Sequence, residues 1–435
     1  DPGSVTADAV SVSAAGVPVA GRTVYRGNFL EFVPDDDLSA GETFTVTVSA
    51  ALLNPAGLPL AADHSWEFTT DNRMPVGSWS ETSQDQTPPA MSGATAVWTG
   101  TQVLIWGNGG GGSYDPAAGS WSSSSAISVG GPSPRVGHTA VWTGTQMIVW
   151  GGRSSALADA EIFGGGAIFD VAANSWTEIP PPEPVSFASY PTFDHVAVWT
   201  GTEMIVWGGS SPGAVNSGWR YDPSTGVATA FRGTNAPSAR TAAQAVWTGS
   251  EMIVWGGYDS TGGAPLNDGA RYDPVADAWT PLPPVAATFT SDIATSIVWT
   301  GSEMILWNGG QTEEGQTGND RLRVPTLHAY DPLLDTWRVS TSGWEPYLAV
   351  VDPFSLVGAK GYRAFWTGDR MLVVPMFGSD QGFFYDPVLD SWQSVTDVMF
   401  LGRVGAAAVW AGSRFVIWGG VWSVLPGDDG LVLQP

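Results

Sequence analysis

The stretch AVWTGTEMIVWGG, residues Ala197–Gly209, places two tryptophans eight residues apart around a Thr-Gly pair. Copies of this stretch occur six more times in the 435-residue chain, the last two of them weaker. The first tryptophans of the seven copies are Trp98, Trp142, Trp199, Trp247, Trp299, Trp366 and Trp410, at spacings of 44, 57, 48, 52, 67 and 44 residues. Seven copies cannot each be a catalytic site, so these tryptophans belong to a repeated structural unit.

Six of the copies are followed by a second signature, in which an aromatic residue and Asp precede another tryptophan. It reads RYDPVADAW from Arg271, while RYDPSTGVA from Arg220 has Ala228 in the place of the tryptophan. Together the two signatures predict four strands, which we call a, b, c and d. A Thr-Gly turn joins a to b, Gly-Gly ends b, and Asp-Pro opens a β-turn between c and d. Strands a and b are apolar on successive residues, which indicates burial on both faces, as between stacked blades.

This pattern resembles that of the Kelch-repeat β-propellers: a strand pair that ends in Gly-Gly, an aromatic residue before an Asp turn, and a later Trp. The resemblance covers the chain from about Pro75 to Pro435 and implies an all-β, seven-bladed propeller. The seventh unit has no signature for strand d, but the segment GSWSE, Gly77–Glu81, carries Trp79 in a matching context. We therefore predict that residues 76–82 complete the last blade and leave no inner strand edge unpaired.

The first 71 residues show a different pattern, in which β-forming residues alternate with polar ones, as in TFTVTV, Thr43–Val48. Their F-x-P, A-G-x-P-L and F-T-T motifs resemble the Ig-like modules that are common in bacterial surface and secreted proteins. The resemblance implies a small β-sandwich, and we expect it to be incomplete at its start, without the family's first strand. The predicted organisation is an Ig-like module over 1–71, a linker over 72–75 and a propeller over 76–435.

Composition excludes several classes of function. A net charge of −25 argues against nucleic acid, whose phosphates an acidic protein would repel. The chain contains no cysteine, so it has neither disulfides nor thiolate chemistry. No segment approaches the roughly 18 apolar residues of a membrane span, so membrane insertion is not expected. Copper radical oxidases share the propeller architecture, but the resemblance implies a Tyr–Cys cofactor that this chain cannot build.

Two tryptophans fall in predicted loops without a place in the repeat. Trp344 lies in the long loop 340–362, and Trp422 lies in the last b–c loop. With Tyr347 and Tyr190 they are candidate ligand-binding residues at the mouth lined by the d–a and b–c loops, because aromatic faces stack on sugar rings. The alternative is that these side chains only pack within their loops.

Two further groups recur at fixed register. Arg135, Arg240 and Arg403 each precede the first tryptophan of their unit by seven residues, and His138 and His195 precede theirs by four. The arginines are predicted to lie around the same mouth, where they would donate to carboxylates. The alternative is that each arginine fixes a neighbouring loop carbonyl. The two histidines are also ligand-binding candidates, but a metal site needs more ligands than two.

A calcium ion is the one cofactor that the acidic residues Glu313, Glu314 and Asp320 suggest, although their run has no recognised loop spacing and is typical of a solvated surface. No catalytic residue is predicted, since the chain has neither G-x-S-x-G nor H-E-x-x-H.

The favoured function is that of an extracellular or cell-surface binding or scaffold protein, without catalysis, which recognises a glycan or a protein at the loop-lined mouth. A carbohydrate-active enzyme (a lyase, hydrolase or epimerase) is the first alternative. It requires ionisable groups with perturbed pKa values in one pocket. A structural subunit of a surface layer or appendage, self-associating through the Ig-like module, is the second.

Overall fold

The computed structural model describes residues 6, 9–26, 29–35, 38–39, 42–53, 58–69, 77–122, 127, 129–155, 159–181, 192–211, 213–231, 233–259, 265–285, 295–312, 323–340, 362–375, 382–395, 403, 405–422, 425–426 and 429–435. Of these, residues 24–26, 29–31, 69, 295, 308–312, 323–326, 362, 421–422 and 425–426 are described by their backbone alone. The chain divides into two compact units, Asp1–Pro75 and Val76–Pro435.

The first unit contains two antiparallel sheets among its described residues. Its strands are β1 (Val10–Ala14), β2 (Val17–Pro18), β3 (Gly21–Arg26), β4 (Phe29–Pro34), β5 (Thr43–Val48) and β6 (His64–Thr69). One sheet has the order β2-β1-β5-β6, and β3 pairs with β4 in the other. Polar and apolar residues alternate along β5, so Phe44 and Val46 share one face and pack with Val10 and Val12 of β1. This face is the core of the unit.

The described part of the second unit contains seven four-stranded antiparallel sheets, which we number 1 to 7. Sheet 1 consists of β8 (Thr95–Trp98), β9 (Val103–Gly107), β10 (Gly110–Asp115) and β11 (Ser120–Ser122). Sheet 2 consists of β12 (Thr139–Trp142), β13 (Gln146–Trp150), β14 (Gly166–Asp170) and β15 (Ser175–Ile179). Sheet 3 consists of β16 (Val196–Trp199), β17 (Met204–Trp207), β18 (Gly218–Asp222) and β19 (Val227–Ala230). Sheet 4 consists of β20 (Gln244–Trp247), β21 (Met252–Trp255), β22 (Gly269–Asp273) and β23 (Ala278–Pro281).

The remaining sheets follow the same plan. Sheet 5 consists of β24 (Thr295–Trp299), β25 (Met304–Thr312), β26 (Arg323–Asp331) and β27 (Thr336–Ser340). Sheet 6 consists of β28 (Tyr362–Trp366), β29 (Met371–Pro375), β30 (Phe383–Asp386) and β31 (Ser391–Ser394). Sheet 7 consists of β32 (Ala407–Ala411), β33 (Arg414–Trp418), β36 (Gly430–Gln434) and β7 (Ser78–Glu81). Between β33 and β36, the short strands β34 (Val421–Trp422) and β35 (Leu425–Pro426) form a hairpin.

Sheets 1 to 6 each contain strands a, b, c and d in chain order. In sheet 7 the strands β32, β33 and β36 take the places of a, b and c, and β7 pairs with β36, with Trp79 opposite Leu433. The strands a of consecutive sheets contact one another from β8 to β32, and β32 also contacts β8. The strands a of the seven sheets therefore lie side by side.

The a–b hairpin is fixed by its Thr-Gly pair. In sheet 3, the Thr200 hydroxyl accepts the backbone N–H groups of Thr202 and Glu203 at 3.2 and 2.9 Å. Gly201 has a φ of 107°, which a residue with a side chain rarely adopts. The same hydroxyl-to-backbone bonds are made by Thr99, Thr143, Thr248, Thr300 and Thr367.

The c–d turn is held by the residues of the second signature. In sheet 4, the Asp273 carboxylate accepts the N–H groups of Val275 and Ala276 at 2.8 and 3.1 Å, which closes the turn. Asp277 has a φ of 50°, and its carboxylate accepts the hydroxyl of Tyr272 at 2.8 Å. The same bond joins Tyr330 to Asp335 and Tyr385 to Asp390. The spacing from Tyr to the second Asp, which recurs in sheets 4, 5 and 6, thus reflects one hydrogen bond.

The repeated tryptophans pack between neighbouring sheets. Trp207 in strand b of sheet 3 is 1% exposed, and its ring centroid lies 5.4 Å from that of Trp279 in strand d of sheet 4. Equivalent pairs are Trp106–Trp176, Trp255–Trp337 and Trp418–Trp121. Buried aromatic pairs of this kind contribute both apolar area and favourable edge contacts. These four tryptophan pairs therefore join sheet 1 to sheet 2, sheet 3 to sheet 4, sheet 4 to sheet 5 and sheet 7 to sheet 1.

Candidate functional site

The strand order gives every sheet two different ends. The b–c connections and the d–a connections between sheets lie at one end, which we call the loop end. The a–b hairpins and the c–d turns lie at the other, which we call the hairpin end. Loop-end connections differ widely in length, whereas the hairpins are nearly constant. Variable loops on a constant framework are a usual place for binding residues.

A cavity of about 620 Å³ lies at the loop end of sheet 2. Its walls are the connection that precedes β12, residues 130–135, and the b–c loop, residues 161–166. The carboxylates of Glu161 and Glu178 line it, and the Phe163 ring lies 4.2 Å from the Arg135 guanidinium carbon. The cavity thus combines two strong hydrogen-bond acceptors with an aromatic ring, in the size range of small-ligand pockets.

The three arginines predicted for the loop end are buried and donate to backbone carbonyls. Arg240 is 0% exposed, and its Nη1 donates to the carbonyls of Gly256 and Asp268 at 2.9 and 3.1 Å. These carbonyls stand at the two ends of one b–c loop, so the guanidinium ties the loop to itself. Arg135 binds the carbonyls of Gly151 and Gly165, and Arg403 those of Gly419 and Asp429. Contact of these arginines with a ligand stays a prediction.

Burial also lowers the pKa of two of these arginines. It lowers the pKa of Arg135 to about 10, against the opposing influence of the Glu161 carboxylate. The pKa of Arg240 is lowered by burial as well, and Asp268, whose carboxylate lies 2.9 Å from Nη2, opposes that shift. Arg135, with a pKa of about 10, therefore remains charged at neutral pH while its donors are held by the loop.

The two predicted histidines are also buried, each against the sheet before its own. His138 Nε2 lies 2.9 Å from the Thr95 hydroxyl of sheet 1, and His195 Nε2 lies 2.8 Å from the Thr139 hydroxyl of sheet 2. Burial lowers the pKa of His138 to about 3, with further lowering by Arg135. Burial lowers the pKa of His195 to about 4. Both imidazoles are therefore neutral at pH 7 and bridge adjacent sheets.

These pKa values predict a loss of stability in mild acid. Between pH 6.5 and about 4 the unfolded chain, with histidine pKa values near 6.5, binds protons that buried His138 and His195 do not. Stability therefore falls as the pH falls, by up to about 1.4 kcal/mol per pH unit for each histidine. In the double variant His138→Gln/His195→Gln, the drop in unfolding free energy from pH 7 to pH 4.5 should shrink by at least about 2 kcal/mol. Chemical denaturation at both pH values measures it.

The matched control is His64→Gln, because His64 is exposed on β6. This variant makes the same substitution at an exposed position and measures the effect of the substitution itself. Carboxylates such as Asp170 and Asp222 have lowered pKa values, so their contribution to stability is lost only at more acidic pH. An unchanged pH dependence in the double variant would show that the two imidazoles titrate normally in the folded chain.

Several predicted residues lie outside the described residues. These are Trp344, Tyr347 and Tyr190, together with the acidic residues Glu313, Glu314 and Asp320. Trp422 is described by its backbone alone, in β34 at the loop end of sheet 7. Among the residues with described side chains, no three His, Asp or Glu side chains are grouped so that they could hold a metal ion.

A second cavity, of about 730 Å³, lies at the hairpin end between sheets 3 and 4. Its lining includes Glu203 and Arg220 of sheet 3, and Trp247, Glu251 and Asp273 of sheet 4. Sequence reasoning assigned Trp247 to the framework and missed this groove. One feature of the sequence could have indicated it. Only the third and fourth copies combine TGTEM or TGSEM in the a–b hairpin with RYDP at the end of strand c.

Comparison with known families now identifies both parts of the chain. Residues 137–349, which include sheets 2 to 5, match the family described as the KLHDC2/KLHL20/DRC7 Kelch-repeats domain. Residues 1–70 match the family described as the bacterial Ig-like domain. The chain is thus similar to an Ig-like domain over its first 70 residues and to Kelch repeats over residues 137–349. No curated protein matches its sequence.

Both resemblances drawn from the sequence are thus confirmed. The Kelch match carries no information about a ligand, because one fold hosts many functions. A bacterial Ig-like domain is typical of surface proteins. In the described part of the chain, no helix has the length and apolar character needed to cross a membrane.

Proposed function

We propose that this protein is an extracellular binding protein without catalytic activity, in which a seven-bladed Kelch propeller recognises a glycan or a protein at its loop end. The Ig-like domain, of a type common at bacterial surfaces, supports the location. Seven four-stranded sheets, with strands a in mutual contact from β8 to β32 and back to β8, support the seven blades. The Ig-like domain would be a small β-sandwich.

The cavity at the loop end of sheet 2 is the observation that carries this proposal. Arg135 holds the carbonyls of Gly151 and Gly165 at 3.0 and 3.4 Å, so one wall of the cavity is fixed before a ligand arrives. Glu161 and Glu178 accept hydrogen bonds, and the net charge of −25 disfavours anionic partners. Hydroxyl groups of a glycan or N–H groups of a peptide are donors that suit these carboxylates.

Aromatic residues complete the proposed site. Trp344, Tyr347, Tyr190 and Trp422 all belong to loop-end connections in the sequence, where they would offer stacking faces to a sugar ring or an apolar side chain. The buried arginines and histidines would act mainly by holding the loops in place; these residues are Arg135, Arg240, Arg403, His138 and His195.

Binding of the full chain to a glycan array and to purified surface proteins tests the proposal. The variants Glu161→Gln/Glu178→Gln and Trp344→Ala should each weaken binding by about 1–2 kcal/mol and leave the melting temperature nearly unchanged. Asp369→Asn, at an exposed hairpin-end carboxylate, is the control and should bind like the parent. Binding that survives both loop-end variants would place the site elsewhere, and a lowered melting temperature with normal binding would make Trp344 a packing residue.

A further inference from the structure

We propose that the groove between sheets 3 and 4 at the hairpin end, lined by Glu203, Arg220, Trp247 and Glu251, is a second ligand site that takes an uncharged saccharide. It lies at the opposite end of the sheets from the cavity of sheet 2 and does not depend on the function proposed for the loop end. Its volume of about 730 Å³ is in the range of pockets that bind small molecules.

Trp247 supplies the apolar surface of this groove. Its side chain is half-buried, because it packs on the core cluster between sheets 3 and 4 that contains Val198 and Val254. The rest of the indole faces the cavity that it lines. Val275, which is 95% exposed, stands at the rim. An aromatic face beside a small apolar rim suits the C–H face of a sugar ring.

The lining of the groove carries the carboxylates of Glu203, Glu251 and Asp273 and the guanidinium of Arg220, and two of the carboxylates already have partners. Asp273 accepts two backbone N–H groups of its own turn, and Glu251 lies 3.5 Å from Arg271. Glu203 adds an acceptor, and Arg220, whose Nη1 donates to Pro274, has further N–H groups on its guanidinium. A groove that offers both kinds of group beside hydroxyls such as those of Thr202 and Ser250 fits a neutral polyol better than an ion.

The walls of the groove are fixed across two sheets. Arg220 Nη1 donates to the carbonyl of Pro274 at 2.6 Å, which ties strand c of sheet 3 to the c–d turn of sheet 4. The Thr200 and Thr248 hydroxyls fix the two hairpins that form the rim. A ligand would therefore bind without ordering the site, which favours affinity for small molecules.

The corresponding residues of sheets 1 and 2 provide an internal comparison. Trp142 occupies the register of Trp247 and is also half-buried between two sheets. Gln102 and Ser113 stand there at the positions of Glu203 and Arg220, and they hydrogen-bond to each other at 2.9 Å. These residues keep the indole but lack the charged donor and acceptor, so they are not expected to bind a saccharide.

The test is calorimetric titration of the full chain with maltose, cellobiose and lactose, with spermidine as a cationic probe. At least one disaccharide should bind with a Kd at or below a few millimolar. Trp247→Ala should weaken that binding tenfold or more, and Glu203→Gln, which leaves the framework intact, should weaken it at least threefold. Trp142→Ala, the matched loss of an indole, should bind within twofold of the parent.

Three results would overturn the proposal: no disaccharide binding up to about 20 mM, an equal loss in Trp142→Ala, or displacement of the disaccharide by spermidine. The loop-end variant Glu161→Gln/Glu178→Gln separates this site from the other one. It should leave disaccharide binding unchanged, and a loss in this variant would assign the sugar to the loop end.

Discussion

Replacement of residues 77–82 by a Gly-Ser linker of equal length should lower the free energy of unfolding of the second unit by at least about 4 kcal/mol. The replaced segment contains β7, the outer strand of sheet 7, which pairs with β36 over four residues. It also removes Trp79, whose ring lies 6.2 Å from that of buried Phe415 in the core between sheets 6 and 7. Chemical denaturation followed by circular dichroism measures the change.

The same replacement leaves β36 with an unpaired edge that carries buried Leu433 and Val432. Exposed edges of this kind pair with other chains, so the variant should also aggregate at concentrations where the parent is monodisperse. The double variant Ser78→Ala/Ser80→Ala is the control, because both side chains are exposed, and it should stay within about 0.5 kcal/mol of the parent. A linker variant that unfolds at the parent midpoint would show that sheet 7 is stable with three strands.

The strands of the Kelch region could be predicted from the sequence because their signals are local. Thr-Gly in the hairpin and Asp-Pro in the c–d turn act on residues within three positions, as the bonds of Thr200 to Glu203 and of Asp273 to Ala276 show. Such contacts need no knowledge of neighbouring sheets. The register of the repeat therefore follows from a single copy and is confirmed by the others.

The packing partners of the tryptophans could not be predicted from a single copy of the repeat, because each contact joins two different sheets. Trp150 of sheet 2 shows this: its ring lies 5.7 Å from Tyr221 of sheet 3. The expected partner would be the strand-d tryptophan of sheet 3, but Ala228 stands in that place. The sequence shows that this tryptophan is absent. Only the arrangement of the sheets shows that the indole of Trp150 packs against Tyr221 instead.

The hydrogen bonds of the two histidines each join adjacent repeats, and both partners of each bond could be identified in the sequence. His138 needs the Thr95 hydroxyl of the preceding sheet, and His195 needs that of Thr139. In sheet 4 the histidine position is Ala243, and the matching position of sheet 3 is Val196, so donor and acceptor are lost together. Comparison within one repeat finds a shared register, whereas comparison between adjacent repeats would have found the bond.

Arg240→Met should destabilise the second unit by about 3 kcal/mol. The substitution keeps the length of the apolar stem but removes the donors to Gly256, Asp268 and Ser238, whose carbonyls lie 2.9 to 3.1 Å from the guanidinium. Arg240 is 0% exposed, so water cannot readily replace those donors. Arg240→Lys should recover only part of the loss, because an ammonium cannot serve three acceptors in one plane. Chemical denaturation of both variants provides the measurement.

Arg338→Met is the matched control. Arg338 makes a short ion pair with Glu303, at 2.7 Å, but its side chain is 40% exposed, so its loss should cost less than about 1 kcal/mol. The comparison separates two roles for the recurring arginines. Substitution of an arginine that only supports the fold should lower the stability and leave the Kd for a ligand unchanged. Substitution of a ligand-binding arginine should weaken binding and leave the stability unchanged. A stable Arg240→Met variant would mean that the loop does not need its guanidinium, and the buried charge would then call for a ligand at the loop end.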